Sequence, residues 1–149
     1  MKLFEEISWL PKIPDEFIES LELIESRENV NPLQIPDTYA SRLVDPKLHE
    51  WCQSFFSYPI VTRWQVQKKD LPIHVDVGIK GIKYIYYVDL GGKNVETLFW
   101  DNVGPTANLI DRYTAKLYTW CTFKIDKPHS TSGCHSPRLS VTIKKNSRL

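Results

Sequence analysis

The segment Leu71-Pro72-Ile73-His74-Val75-Asp76 sets an imidazole and a carboxylate two residues apart. In an extended chain alternate side chains share a face, so His74 and Asp76 point the same way. Side by side they form two legs of a facial metal site. An isolated His-x-Asp also reads as a hydrogen-bonded surface pair. A second histidine, His129, follows downstream in Lys127-Pro128-His129-Ser130, and Arg138 comes nine residues after it. Arg138 opens the run Arg138-Leu139-Ser140-Val141-Thr142-Ile143. Alternation puts Arg138, Ser140 and Thr142 on one face and Leu139, Val141 and Ile143 on the other. An arginine on an inward polar face requires an anionic partner. Its guanidinium matches a carboxylate bidentately, and Ser140 can add a donor. The downstream half thus offers a carboxylate-binding pair close to a third metal ligand.

The elements that must position these groups are short strands. From Tyr58 onward, the runs Ile60–Gln67, Ile73–Val77, Lys83–Leu90, Glu96–Trp100, Ala115–Phe123 and Leu139–Ile143 are rich in β-branched and aromatic residues. Turn signals such as Gly91-Gly92 and Asn102-Val103-Gly104-Pro105 separate them, which predicts a barrel or sandwich. The first third reads as helical. Phe17, Ile18, Leu21 and Ile24 recur at helical spacing within residues 14–25. A second helix is expected from Pro36-Asp37, burying Tyr39, Leu43 and Val44. A third is expected after Asp45-Pro46, with Asp45 as N-cap and Leu48, Trp51, Cys52 and Phe55 on its inner face. The expectation is one domain over residues 1–149: a helical part at 1–57, a β core at 58–143 and a polar tail at 144–149.

The composition fits a folded chain with its own core. Apolar residues make up 42% and charged residues 25% of 149, which argues against disorder. Nineteen Lys+Arg against 18 Asp+Glu give a net charge of +1, so charge supplies no reason to expect nucleic acid as a partner. Cys52, Cys121 and Cys134 have no CxxC spacing and are odd in number, which predicts free thiols in a reducing compartment. The start Met1-Lys2-Leu3-Phe4-Glu5-Glu6 lacks an apolar signal core, and no stretch is long and apolar enough to span a membrane. A cytoplasmic protein with no membrane partner is the expectation; oligomeric state is not legible.

The order His-x-Asp, distal His, then Arg on the last core strand resembles the Fe(II)/2-oxoglutarate-dependent oxygenase superfamily. Leu71-Pro72-Ile73-His74-Val75-Asp76, Lys83-Tyr84-Ile85-Tyr86-Tyr87-Val88-Asp89-Leu90, Trp100, Pro128-His129 and Arg138-Leu139-Ser140 are similar to small hydroxylases of the aspartyl/asparaginyl and prolyl hydroxylase-like groups. The resemblance covers roughly residues 60–143. It implies a mainly β fold, a double-stranded β-helix (jelly-roll, cupin-like) core carrying N-terminal helices. It further implies His74, Asp76 and His129 as ligands of Fe(II), with 2-oxoglutarate and O2 as cosubstrates. Arg138 and Ser140 would hold the distal carboxylate of 2-oxoglutarate, and Tyr87 would take an inward polar position beside them. The implied activity is a dioxygenase hydroxylating an amino-acid side chain in a peptide, a protein or the free amino acid, with no catalytic residue beyond the metal ligands.

Alternatives stay open at this level. His135 competes with His129 as distal ligand, although its three-residue spacing to Arg138 is short. Tyr84 and Tyr86 share one face and Tyr87 the other, and either face could be the inner one. Arg63 and Gln65 fit a substrate entrance or a solvated edge. Trp100 fits a site wall or core packing. The fold could instead carry a cupin-like metal site of other chemistry, although neither His-x-His nor a nearby Glu is present. It could also be a non-enzymatic binding or structural jelly roll. The oxygenase reading requires the three ligands to converge inside the barrel with Arg138 in the same cavity.

Overall fold

A computed structural model describes residues 2–25, 39–76 and 81–146. Nine strands and two helices are present among them: β1 (Phe4–Glu6), α1 (Asp15–Glu25), β2 (Tyr39–Leu43), α2 (Pro46–Gln53), β3 (Ile60–Gln67), β4 (Ile82–Leu90), β5 (Glu96–Trp100), β6 (Leu109–Thr114), β7 (Trp120–Lys124), β8 (His129–Ser132) and β9 (Arg138–Lys145). They form a six-stranded sheet in the order β1-β7-β4-β9-β3-β2 and a three-stranded sheet in the order β6-β5-β8. The His74 segment adds to the small sheet through one bridge, His74 to His129. All named strand pairs are antiparallel. Two facing sheets with these crossovers make a double-stranded β-helix.

Strand alternation sorts the large sheet into two environments. Its outer face supplies Ile60, Trp64, Val66, Tyr86, Trp120, Leu139, Val141 and Ile143 to a core closed by Ile18 and Leu21 of α1 and Leu48 and Cys52 of α2. Its inner face carries Arg63 and Gln65, Lys83 and Tyr87, Arg138 and Ser140 toward the small sheet. One end of this inner space is filled by Ile85, Phe99, Tyr113, Cys121, Phe123 and Ile125. The helices therefore brace the back of the sheet, and the front is left for polar groups. Asp45 caps α2 as its type predicts, accepting a hydrogen bond from Leu48 N at 3.0 Å.

Several expectations are corrected. Residues 39–43 are not helical but form β2, an edge strand paired with β3 from Tyr39↔Gln67 to Leu43↔Arg63. Pairing with an open sheet edge satisfies the backbone there and outweighs the helix-favouring residues of Tyr-Ala-Ser-Arg-Leu. Residues 1–57 thus include two strands besides the helices. Phe55 lies beyond α2 and is exposed. The run Ala115–Phe123 breaks at Tyr118, whose φ is 55°, and only its end enters β7. Of the expected strand Ile73–Val77, the described residues 73–76 contribute a single bridge rather than a strand. The tail does not begin at Lys144, because β9 continues through Lys145, paired with Ile60. Pro36, Asp37, Val77, residues 147–149 and the side chain of Ile24 lie outside the described residues.

Candidate metal and carboxylate site

The bridge between His74 and His129 is the local reason two imidazoles meet. Each backbone N–H donates to the other's carbonyl at 2.9 Å, which holds the rings 4.4 Å apart between centroids. Asp76 follows two residues on and turns the same way. Its Oδ1 lies 3.5 Å from His74 Nε2 and 3.6 Å from His129 Nε2. One donor atom from each residue falls within 4.8 Å of the others. That separation suits three ligands on one side of a divalent ion.

Both rings are oriented by the backbone. His74 Nδ1 donates to Pro72 O and His129 Nδ1 to Lys127 O, each at 2.7 Å. With Nδ1 carrying the proton, Nε2 presents its lone pair toward Asp76, the arrangement found around metal-binding histidines. Burial pushes the pKa of His129 down to about 4, against an opposing contribution from its Lys127 hydrogen bond. The ring is therefore neutral near pH 7, as a metal ligand must be.

The three groups open on a cavity of about 450 Å³ between the sheets. Arg138, at the start of β9, lines it and is 3% exposed. None of Nε, Nη1 or Nη2 has a hydrogen-bond partner among the described residues. The guanidinium carbon lies 4.2 Å from the centre of the Tyr87 ring. A cation–π contact returns about 0.5–2 kcal/mol, whereas desolvating an ion costs several kcal/mol. The ring contact offsets only part of that cost, so an anion entering the cavity would stabilise the guanidinium. Ser140 lines the same cavity and is paired in register with Tyr87 on β4. Gly91 makes room for this arrangement. It sits at φ +80°, and a Cβ there would meet Arg138 Cβ at 2.8 Å.

Of the two tyrosine faces, Tyr87 turns inward, while Tyr84 and Tyr86 pack with the helix-covered core. His135 does not join the cluster; it is exposed and its ring lies against Gly92. Trp100 does not line the cavity; its Nε1 donates to Ser130 Oγ at 2.8 Å. Arg63 and Gln65 do line it. The sequence reading missed Tyr39, Ser41, Lys83 and Lys144, which also line it. Period-two alternation outward from Arg138 and Tyr87 would have found the two lysines. His49 bonds Thr62 Oγ1 through Nδ1 at 3.1 Å, and Cys52, Cys121 and Cys134 are buried free thiols.

No protein-family profile matches the sequence, and no curated protein matches it. Solved structures do match. The carbocyclase SnoK from nogalamycin biosynthesis, non-heme and alpha-ketoglutarate dependent, superposes with a TM-score of 0.65 at 8% identity, over 95% of this chain and 78% of that one. A prolyl hydroxylase from Trichoplax adhaerens, in complex with a peptide fragment of hypoxia inducible factor, gives 0.61 at 13%, over 95% and 82%. A prolyl-4-hydroxylase from Pseudomonas putida gives 0.58 at 11%, over 95% and 91%. The fold is that of the Fe(II)/2-oxoglutarate oxygenases. At such identity the likeness concerns architecture, and the roles of individual residues rest on their own geometry. No helix among the described residues is long and apolar enough to cross a membrane.

Proposed function

We propose that this protein is an Fe(II)/2-oxoglutarate-dependent dioxygenase that hydroxylates an amino-acid side chain in a peptide or protein. The observation that carries the reading is one cavity holding both a convergent His-Asp-His cluster and a buried guanidinium without a hydrogen-bond partner among the described residues. His74, Asp76 and His129 would hold the iron, since two neutral imidazoles and a carboxylate are the donor set Fe(II) takes in this geometry. Arg138 would receive the distal carboxylate of 2-oxoglutarate through its fork of N–H donors, assisted by the Ser140 hydroxyl. Tyr87 packs with its ring centre 4.2 Å from the guanidinium carbon. When bound, iron and 2-oxoglutarate supply the oxidising chemistry that inserts one O2-derived oxygen into a C–H bond, with succinate and CO2 released. The chain's own contribution is to orient the ligands through Pro72 O and Lys127 O, to set the cosubstrate's register through Arg138, and to shape the cavity around them. The cavity volume lies in the range of small-molecule sites. A peptidyl substrate is favoured because two of the matching structures are prolyl hydroxylases, one of them with a peptide in place.

The test is turnover of the Fe(II)-loaded protein with 2-oxoglutarate and O2, reading succinate by NMR and product by mass spectrometry against peptide pools. Succinate formation that disappears in His74→Ala and Arg138→Met, with gain of one oxygen atom on a peptide, is expected. A protein that binds Fe(II) yet neither binds nor consumes 2-oxoglutarate would overturn the reading.

A further inference from the structure

The cavity is more cationic than the proposed cofactors require. Among its described lining residues, Arg63, Lys83, Arg138 and Lys144 carry positive charge and Asp76 alone is acidic. On the oxygenase reading, a divalent ion and Arg138 together balance Asp76 and the two carboxylates of 2-oxoglutarate. Arg63, Lys83 and Lys144 are then left over.

These three residues stand together on the inner face, away from Arg138. They lie on the neighbouring strands β3, β4 and β9, with Val61 opposite Lys144, Arg63 opposite Thr142 and Tyr84 opposite Ile143. Lys144 is six residues beyond Arg138 on β9, roughly 20 Å along an extended strand. The cavity therefore has two positive poles. At the second pole, Lys144 Nζ reaches Asp76 Oδ2 only at 3.9 Å, and Arg63 Nη1 reaches Ser41 Oγ only at the limiting 3.5 Å. Lys83 interacts with Asp76 through space, and Lys144 repels it. Asp76 cannot neutralise three cations, and a metal held at its Oδ1 would add to the excess. Like charges confined in a partly desolvated space are stabilised by an incoming anion.

We infer that the substrate carries an anionic group, a carboxylate or a phosphate, and that Arg63, Lys83 and Lys144 hold it beside the metal ligands while Arg138 holds 2-oxoglutarate. The inference rests on the oxygenase reading and narrows its substrate to acidic peptides or amino acids. The lysines reach a rounded acidic group as point charges, and Arg63 adds a planar fork.

The test uses Mn(II)-loaded protein with saturating 2-oxoglutarate, oxygen being inert with this metal. Three probes are titrated: N-acetyl-aspartate amide, its neutral isostere N-acetyl-asparagine amide, and N-acetyl-phosphoserine amide. Manganese-induced broadening of the probe's NMR lines reports binding near the metal. At least one acidic probe should bind about tenfold or more tighter than the asparagine form, and the tighter of the two identifies carboxylate or phosphate. In Arg63→Met with Lys83→Met, and separately in Lys144→Met, that preference should fall to within about threefold. An undiminished preference in both variants, equal binding of acidic and neutral probes, or no broadening by either acid would overturn the inference. The preceding 2-oxoglutarate titration keeps the two claims apart: its failure sinks the oxygenase reading, whereas normal cosubstrate binding without acid preference sinks only this one.

Discussion

Replacing Arg138 by methionine should strengthen the apoprotein and cripple cosubstrate binding. Methionine keeps the length of the stem and removes the charge. The guanidinium is 3% exposed, has no hydrogen-bond partner among the described residues, and sits over Tyr87. Set against a desolvation cost of several kcal/mol, the ring contact leaves a deficit of roughly 1–2 kcal/mol or more. Relief of that deficit should raise the apoprotein's Tm by about 2–8 °C for a chain of this size. With 2-oxoglutarate bound the sign reverses. Truncating one member of a buried, hydrogen-bonded charge pair costs about 2–5 kcal/mol, or ~30- to ~5,000-fold in affinity. Calorimetric titration of 2-oxoglutarate into Mn(II)-loaded protein measures the second effect and a thermal melt the first. An affinity within about threefold of the parent, or an apoprotein Tm lowered by more than about 5 °C, would refute the reasoning, since either means that Arg138 already has an internal partner.

Other perturbations probe the remaining parts of the site. Gly91→Ala places a Cβ 2.8 Å from Arg138 Cβ at a φ of +80°, so 2-oxoglutarate affinity should drop about tenfold with a stability loss of about 1–3 kcal/mol, read by calorimetry and urea unfolding. Asp76→Asn removes the one acidic ligand between His74 and His129, and Mn(II) affinity should fall by about 100-fold or more in an equilibrium titration. The pKa of His129 is depressed from 6.5 to about 4, so as pH falls the unfolded chain takes up the proton first. Its contribution to stability is then complete above about pH 6.5 and lost progressively toward pH 4, up to about 3 kcal/mol. Urea unfolding at pH 7 and pH 5 should show a smaller difference in His129→Gln than in the parent.

What the sequence revealed depended on whether a residue's surroundings are local. The alternation of Arg138, Ser140 and Thr142 with Leu139, Val141 and Ile143 follows from strand geometry alone, and β9 has those two faces. His74 and Asp76 are two residues apart, so their proximity is also local, although their segment forms one bridge and no named strand. By contrast, β2 is a strand because β3 offers it an edge, a fact absent from Tyr-Ala-Ser-Arg-Leu itself. β8, His-Ser-Thr-Ser, lacks an apolar pattern because Thr131 faces the cavity and Ser130 bonds Trp100. Lys83 and Lys144 look like solvated lysines in sequence. Alternation from Tyr87 and Arg138 puts both on the inner face, and the pairing of β4 and β9 brings them together beside Asp76.

The central claim is that His74, Asp76 and His129 hold iron in the same cavity where Arg138 holds 2-oxoglutarate. Anaerobic addition of Fe(II) and then 2-oxoglutarate to the apoprotein, followed by optical absorption, tests both at once. A weak visible charge-transfer band that needs both additions, and that is lost in His74→Ala and Arg138→Met, is the predicted result. Binding of Fe(II) with no band at saturating 2-oxoglutarate would contradict it.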